Sequence, residues 1–251
     1  MRVGVAGGTG WTGRRVVDAL RAAGDEVVVL ARGAGVDLVS GKGLAGALAD
    51  VDAVVDVTNT PTRRRRTATT FFETVTTTLQ RAEQAAGVHH HVVLSIVGCD
   101  RVGLGYYRAK RHQEETVLAG PVPATVLRAT QFHEFAAQML ASRGPVVVAP
   151  RMLCQPIALA EVVEHLVDVV HGEPQGLALE LAGPEPGVRM DDMVVALARQ
   201  RGDRRPRLRA GLPGEVGRQM AGGGLLPTAD GPRGRTTFDD WLASPDAART
   251  G

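Results

Sequence analysis

The sequence predicts an α/β fold, a doubly wound parallel sheet with a small C-terminal lobe. Two observations carry that reading. Short valine-rich apolar runs alternate with amphipathic stretches along most of the chain, and a glycine-rich turn separates the first run from the first stretch. Strands buried on both faces of a parallel sheet read as continuous apolar runs, and the helices crossing between them return right-handedly. With 251 residues, 44% of them hydrophobic, the chain has the length and the apolar content for one such domain over 1–251. Residues 1–150 are expected to form mainly the core and 151–251 mainly the lobe.

The elements follow in order. Strands are expected at 3–6, 26–31, 53–58, 92–95 and 125–128, each a run dominated by valine, leucine and alanine. Later strands fall at 146–148 and 178–181. Between them the polar and apolar residues mix at helical spacing over 13–23, 43–48, 68–87, 106–118 and 131–141, then over 160–171 and 190–201. From 202 to 235 glycine, proline and arginine dominate and periodicity fades, which reads as an irregular or short helical lobe. Phe238 and Trp241 are expected to pin the last turn back onto the body.

The totals exclude several classes. Lys+Arg 29 against Asp+Glu 27 leaves a net charge of +2, which gives no pull toward nucleic acid or membrane. No apolar run approaches the roughly 20 residues of a membrane helix. Cys99 and Cys154 form no CxxC pair and no Cys/His metal spacing. The N-terminus opens directly into a strand, so no leader is expected. The expectation is a cytoplasmic protein, monomer or homodimer, whose partner is a small molecule. Lys42 and Lys110 are the only lysines, so each invites a reason.

After the first strand comes Gly7-Gly8-Thr9-Gly10-Trp11-Thr12-Gly13, then a helix. Glycine at the first, fourth and seventh positions permits a tight turn and close approach of backbone to a pyrophosphate. The helix N-terminus adds free N–H groups and partial positive charge. Strand before and helix after are the context of a Rossmann dinucleotide site. At the end of the second strand an acidic residue would favour NAD(H). Here Leu30-Ala31-Arg32-Gly33 supplies a guanidinium suited to a 2′-phosphate, and no acid follows until Asp37. NADP(H) is therefore expected over NAD(H).

Farther along, Tyr106-Tyr107-Arg108-Ala109-Lys110 sets a phenol and an ammonium four residues apart, on one helix face. Such a lysine holds a ribose and lowers a phenol's pKa, which makes the tyrosine a proton donor or acceptor. Ser95, at the end of its strand, is placed to orient a substrate oxygen.

With these residues in view, the chain resembles an atypical short-chain dehydrogenase/reductase of the NmrA-like, NAD(P)H-binding group. The likeness rests on the glycine loop, Asp56-Val57-Thr58-Asn59, Leu94-Ser95-Ile96-Val97-Gly98, the Tyr106 to Lys110 segment and Leu127-Arg128-Ala129-Thr130-Gln131-Phe132, in that family's order. It is looser at Gln155-Pro156-Ile157-Ala158 and Leu181-Ala182-Gly183-Pro184. The resemblance implies Tyr106 as the proton-transfer residue, Lys110 as its ribose-binding partner and Ser95 as the substrate-orienting serine. Ser95 precedes Tyr106 by a shorter interval than in typical reductases. It implies cofactor contacts from Gly7, Thr9, Gly10, Trp11, Thr12, Gly13, Arg32, Thr58, Asn59 and Thr130, and a substrate side at Gln131 and Phe132. Many members of the group lack the tyrosine and act as sensors.

Other features are discounted. Arg63-Arg64-Arg65-Arg66 reads as a solvated run, with phosphate or acidic substrate as the alternative. His89-His90-His91 enters a strand, where successive side chains face opposite ways, so no metal site is expected. Asp191 and Asp192 begin a helix, where the dipole favours them. The function expected is an NADP(H)-dependent oxidoreductase acting on a small carbonyl or alcohol. The alternatives are a redox sensor without turnover, or an isomerase, dehydratase or cyclase that uses Tyr106 as acid and base.

Overall fold

The computed structural model describes residues 1–62 and 64–249. In chain order the elements are β1 (Arg2–Ala6), α1 (Trp11–Ala22), β2 (Glu26–Leu30), α2 (Leu44–Ala47), β3 (Ala53–Asp56), α3 (Arg65–Ala86), β4 (His90–Ile96), α4 (Gly105–Leu118) and β5 (Ala124–Ala129). Then come α5 (Phe135–Leu140), β6 (Val147–Pro150), β7 (Leu153–Cys154), α6 (Leu159–His171), β8 (Gly176–Leu177), β9 (Val188–Arg189), α7 (Met190–Gln200), β10 (Arg207–Ala210), α8 (Gly214–Ala221), α9 (Phe238–Ala243) and α10 (Pro245–Arg249). The chain makes two compact units. One holds Met1–Ser95, Gly105–Arg128 and Val163–Ala178; the other holds Ile96–Leu104, Ala129–Val162 and Leu179–Gly251. The units interleave in sequence, so the division does not fall at residue 150.

The sheet runs β2-β1-β3-β4-β5-β8, parallel in its β1–β2, β1–β3, β3–β4 and β5–β8 pairings. This is the doubly wound Rossmann arrangement expected. β1 and β3 are apolar on both faces because helices cover both sides: Val3, Val5, Val54 and Val55 are fully buried. α1 seats Val16, Val17 and Leu20 along one stripe, and α3 seats Ala68, Phe72, Val75 and Leu79 along another. Leu79 joins Leu30, Leu44, Leu48 and Val54 in one apolar cluster.

In the second unit, β6 pairs with β10 in parallel and β7 with β9 in antiparallel fashion. The 202–235 stretch thus contains β10 and α8, the short helical alternative with a strand added. Phe238 and Trp241 are buried and stack at 5.6 Å, with His133 beside both. The helix expected over 131–141 shrinks to α5. The backbone of 131–133 is extended instead, because Ile157 N–H donates to the Gln131 carbonyl and His133 N–H donates to Ile157. Burial on a neighbouring chain segment overrides helix periodicity there. The strand expected at 178–181 lies earlier, at β8.

The turn after β1 is sterically set by glycine. Gly7 has φ +79°, open to glycine and strained for other residues. A Cβ on Gly13 would sit 2.1 Å from the Gly7 carbonyl oxygen. Gly13→Ala is therefore expected to lower stability by about 3 kcal/mol in urea unfolding. Gly46→Ala, on helical backbone with open space around it, is expected to raise it by about 0.5 kcal/mol. Equal effects of the two would show that the turn yields.

Candidate active site

The first unit brings its chemistry-bearing residues to the carboxyl edge of the sheet, where open α/β sheets bind ligands. Gly10 precedes α1 without a side-chain cap, and no acid stands in the first turn. Among the described residues the N–H groups of Trp11, Thr12 and Gly13 have no hydrogen-bond partner. Unsatisfied N–H groups at a helix start are an anion cradle. Trp11 is exposed, and the Arg15 guanidinium lies 4.5 Å from its ring centroid.

The loop after β3 completes the cradle. Gly7 packs so closely on Thr58 that an added Cβ would lie 3.1 Å from its backbone. Thr58 is buried, its N–H donates to Asp56 Oδ1 at 2.8 Å, and its hydroxyl has no partner among the described residues. A buried hydroxyl without a partner costs roughly 1–3 kcal/mol, which a ligand would recover. Arg32 stands exposed in the turn after β2 with no hydrogen bond or ion pair among the described residues. Asp37 is engaged locally. Its carboxylate accepts from Val39 N–H and the Ser40 hydroxyl, and these bonds, with a smaller pull from the Arg32 charge, hold it below the usual carboxylate range.

Tyr106, in the first turn of α4, leans edge-on against Phe72 of α3, with centroids 6.0 Å apart. Its hydroxyl donates to Asn59 Oδ1 at 2.7 Å, which joins the phenol to the loop after β3. Burial pushes this phenol up to about 12. The sequence led us to expect the opposite direction, a phenol lowered by Lys110. Burial is the cause of the rise. The Lys110 ammonium turns inward, donating to the Leu94 carbonyl at 2.8 Å and to Gln113 Oε1 at 2.6 Å, and it lies 4.9 Å from the Phe72 ring centroid. Gln113 in turn donates to Asp56 Oδ2 at 3.0 Å. Helical spacing does place Tyr106 and Lys110 on α4 as expected, but the lysine's bonds run to strand backbone and amide.

Ser95 has a protein partner of its own. It is buried and donates to Glu114 Oε1 at 2.6 Å, while Arg128 grips the same carboxylate at 2.8 and 2.7 Å. Strand alternation turns Ser95 toward α4, where its hydroxyl ties strand to helix. In the second unit, the Thr130 hydroxyl is likewise committed, donating to the Gln155 carbonyl at 2.6 Å. Gln131 is buried, and both ends of its amide lack partners among the described residues. Phe132 is half-buried on a short parallel bridge to Ile157.

Among the features discounted from sequence, two histidines and two aspartates find local partners. His90 meets the Thr125 hydroxyl at 2.8 Å, His91 meets the Glu83 carboxylate at 2.9 Å, and His89 is exposed. Asp191 and Asp192 both pair with Arg209. Arg63 lies outside the described residues; Arg64, Arg65 and Arg66 are exposed at the start of α3. The sequence reading missed Gln113 and Asp56. Gln113 was legible in principle, since it follows Lys110 at helical i+3 spacing. Asp56 was quoted only as part of the resemblance.

No family model matches the chain, and no curated protein sequence matches it. Solved structures do. The DesIV dTDP-glucose 4,6-dehydratase of Streptomyces venezuelae, with NAD and TYD bound, is similar with TM-score 0.76 and 19% identity, over 100% of this chain and 96% of that one. MoeE5 in complex with UDP-glucuronic acid and NAD is similar with TM-score 0.75 and 20% identity, over 99% of each chain. RMD from Pseudomonas aeruginosa, complexed with NADPH, gives TM-score 0.66 and 14% identity over 96% of each. The chain shares their fold.

Two substitutions separate packing from catalysis. Gln113→Leu strips a charge-assisted bond from both Lys110 and Asp56 and is expected to cost about 3 kcal/mol in urea unfolding. Ser95→Ala is expected to cost about 1 kcal/mol and to leave turnover unchanged, because Arg128 still holds Glu114. A large loss of turnover in Ser95→Ala would restore the serine to the chemistry.

Proposed function

We propose that this protein is an NADP(H)-dependent oxidoreductase of the short-chain dehydrogenase/reductase type, NmrA-like in its motifs, that reduces a small carbonyl substrate with Tyr106 as proton donor. The observation that carries this reading is the phenol. It stands at the carboxyl edge beside the glycine turn's own loop partner, bonded to Asn59, and burial keeps it protonated far above neutral pH. A phenol so held is an acid in waiting, suited to giving a proton to an oxygen that gains negative charge.

The residues present fit a nicotinamide dinucleotide. The free amides of α1 and the close approach allowed by Gly7, Gly10 and Gly13 suit its pyrophosphate, with Thr9, Trp11 and Thr12 alongside. The orphan Thr58 hydroxyl and Asn59 supply further polar contacts, and Arg32 suits a 2′-phosphate. Similar folds solved with NAD, and one with NADPH, support a nicotinamide cofactor on this scaffold. When bound, the nicotinamide supplies a hydride to the carbonyl carbon. Tyr106 delivers the proton to the carbonyl oxygen as it becomes an alcohol. Lys110 acts as a positioning residue, holding the β4 backbone and, through Gln113 and Asp56, the loop that carries Asn59. In the second unit, Gln131 and Phe132 stand as candidate substrate contacts, supported by a Gln131 amide without a partner among the described residues.

A second reading keeps the fold, cofactor and phenol but ends without net redox change, as a dehydratase or epimerase. It is favoured by the dehydratase among the similar folds. Cofactor consumption during turnover separates the two.

The test begins with equilibrium titrations of NADPH, NADP⁺, NADH and NAD⁺, read by quenching of Trp11 in the glycine turn. NADPH is expected to bind more tightly than NADH, and Arg32→Ala to remove about tenfold or more of that difference. No binding of any of the four would end this reading. Tyr106→Phe is expected to lower kcat by about 10²–10⁴ with cofactor affinity unchanged. The ultraviolet difference titration of wild type against that variant is expected to show a phenol midpoint near 12. A midpoint well below 10 would assign Tyr106 a lysine-tuned, base-ready phenol instead.

A further inference from the structure

The start of α3 carries a concentration of positive charge that the proposed cofactor site does not use. Arg64, Arg65 and Arg66 are all exposed, and none of their guanidinium groups has a hydrogen bond or ion pair among the described residues. No acid stands in the first turn of α3, and its start has no side-chain cap. Elsewhere in the chain Arg111, Arg205, Arg209 and Arg218 are paired with carboxylates. Three guanidinium groups at the positive end of a 22-residue helix repel one another and the helix dipole. An oxyanion placed among them relieves both repulsions at once.

Their position decides which oxyanion. Gly105, which opens α4, lies against Arg65 so closely that an added Cβ would sit 3.0 Å from the Arg65 Cβ. Tyr106 is the next residue, its ring against Phe72 of the same α3 and its hydroxyl on Asn59 of the loop that feeds α3. That loop also holds the buried, partnerless Thr58 hydroxyl. The arginines, Asn59 and the phenol therefore belong to one short arc at the ends of β3 and α4. Arg32 follows β2, and β1 lies between β2 and β3 in the sheet. The guanidinium suited to a 2′-phosphate and the arginine run are thus separated across the sheet.

We propose that Arg64, Arg65 and Arg66 hold an oxyanion of the substrate, a phosphate or a carboxylate, and that the carbonyl protonated by Tyr106 belongs to an acidic compound of this class. The proposal rests on the reading of Tyr106 as proton donor, and it defines the substrate by charge: a neutral carbonyl compound of the same size gains nothing from this arc.

The experiment is calorimetric titration of the full chain with inorganic pyrophosphate and with malonate, in the absence and presence of NADPH, at two ionic strengths. The variants are Arg64→Ala/Arg65→Ala/Arg66→Ala, the matching triple lysine variant, and Arg81→Ala at the far end of α3 as a surface-charge control. Wild type and Arg81→Ala are expected to bind at least one of the two probes alike, more weakly at higher salt. The triple alanine variant is expected to lose about tenfold or more of that affinity, and the triple lysine variant to retain part of it. The NADPH affinity of the triple alanine variant is expected to be unchanged. Its melting temperature without anion is expected to be no lower than wild type, since repulsion has been removed. Preference for pyrophosphate identifies a phosphate-bearing substrate, and preference for malonate a carboxylate.

Failure of wild type to bind either probe overturns the proposal, as does equal binding by the triple alanine variant. Loss of NADPH affinity in that variant also overturns it, by assigning the arginines to the cofactor. Should wild type take no NADPH while the variant still loses the probe, the oxyanion site is supported and only the oxidoreductase reading falls.

Discussion

A buried ammonium organises the carboxyl edge of this sheet. Lys110 is removed from water, and a charge in that position persists only with good hydrogen-bond partners. It finds them in the Leu94 carbonyl and in Gln113, and Gln113 passes the connection to Asp56, whose other oxygen takes the Thr58 N–H. One continuous polar chain thus ties β4, α4 and β3 to the loop that carries Asn59. Every member has a defined partner, which fixes the loop more firmly than apolar contact alone. The phenol of Tyr106 meets Asn59 because that loop is held where it is.

Burial, not the ammonium, sets the phenol. Packed against Phe72, Tyr106 is pushed up and stays protonated at neutral pH. The Ser95 side chain makes a parallel case. Its carboxylate partner is the end of a buried ion pair with Arg128, so strand, helix and serine are held by one polar cluster.

Much of the fold was legible because its signals are local. β1 and β3 announce themselves as unbroken apolar runs, α3 by its regular apolar stripe, and the turn between β1 and α1 by glycines that no larger residue replaces. The failures have a common cause. The 131–133 segment has helical periodicity but is drawn into pairing with Ile157, and β8 lies a few residues before its expected place because it follows β5. Tertiary partners, absent from any local window, settled both.

What the sequence determined by itself was therefore the alternation of elements, the dinucleotide-type turn, the guanidinium after β2, and a tyrosine and lysine in helical register. Each follows from spacing along one segment, where covalent geometry dictates which side chains share a face. Only the tertiary structure decided what those side chains do. Asn59 receives the phenol across 47 residues, Glu114 engages both Ser95 and Arg128, and Gly105 of α4 abuts Arg65 of α3. Such pairings arise from strand order and helix packing, which bring distant residues within hydrogen-bond reach, and no periodicity in the chain encodes them.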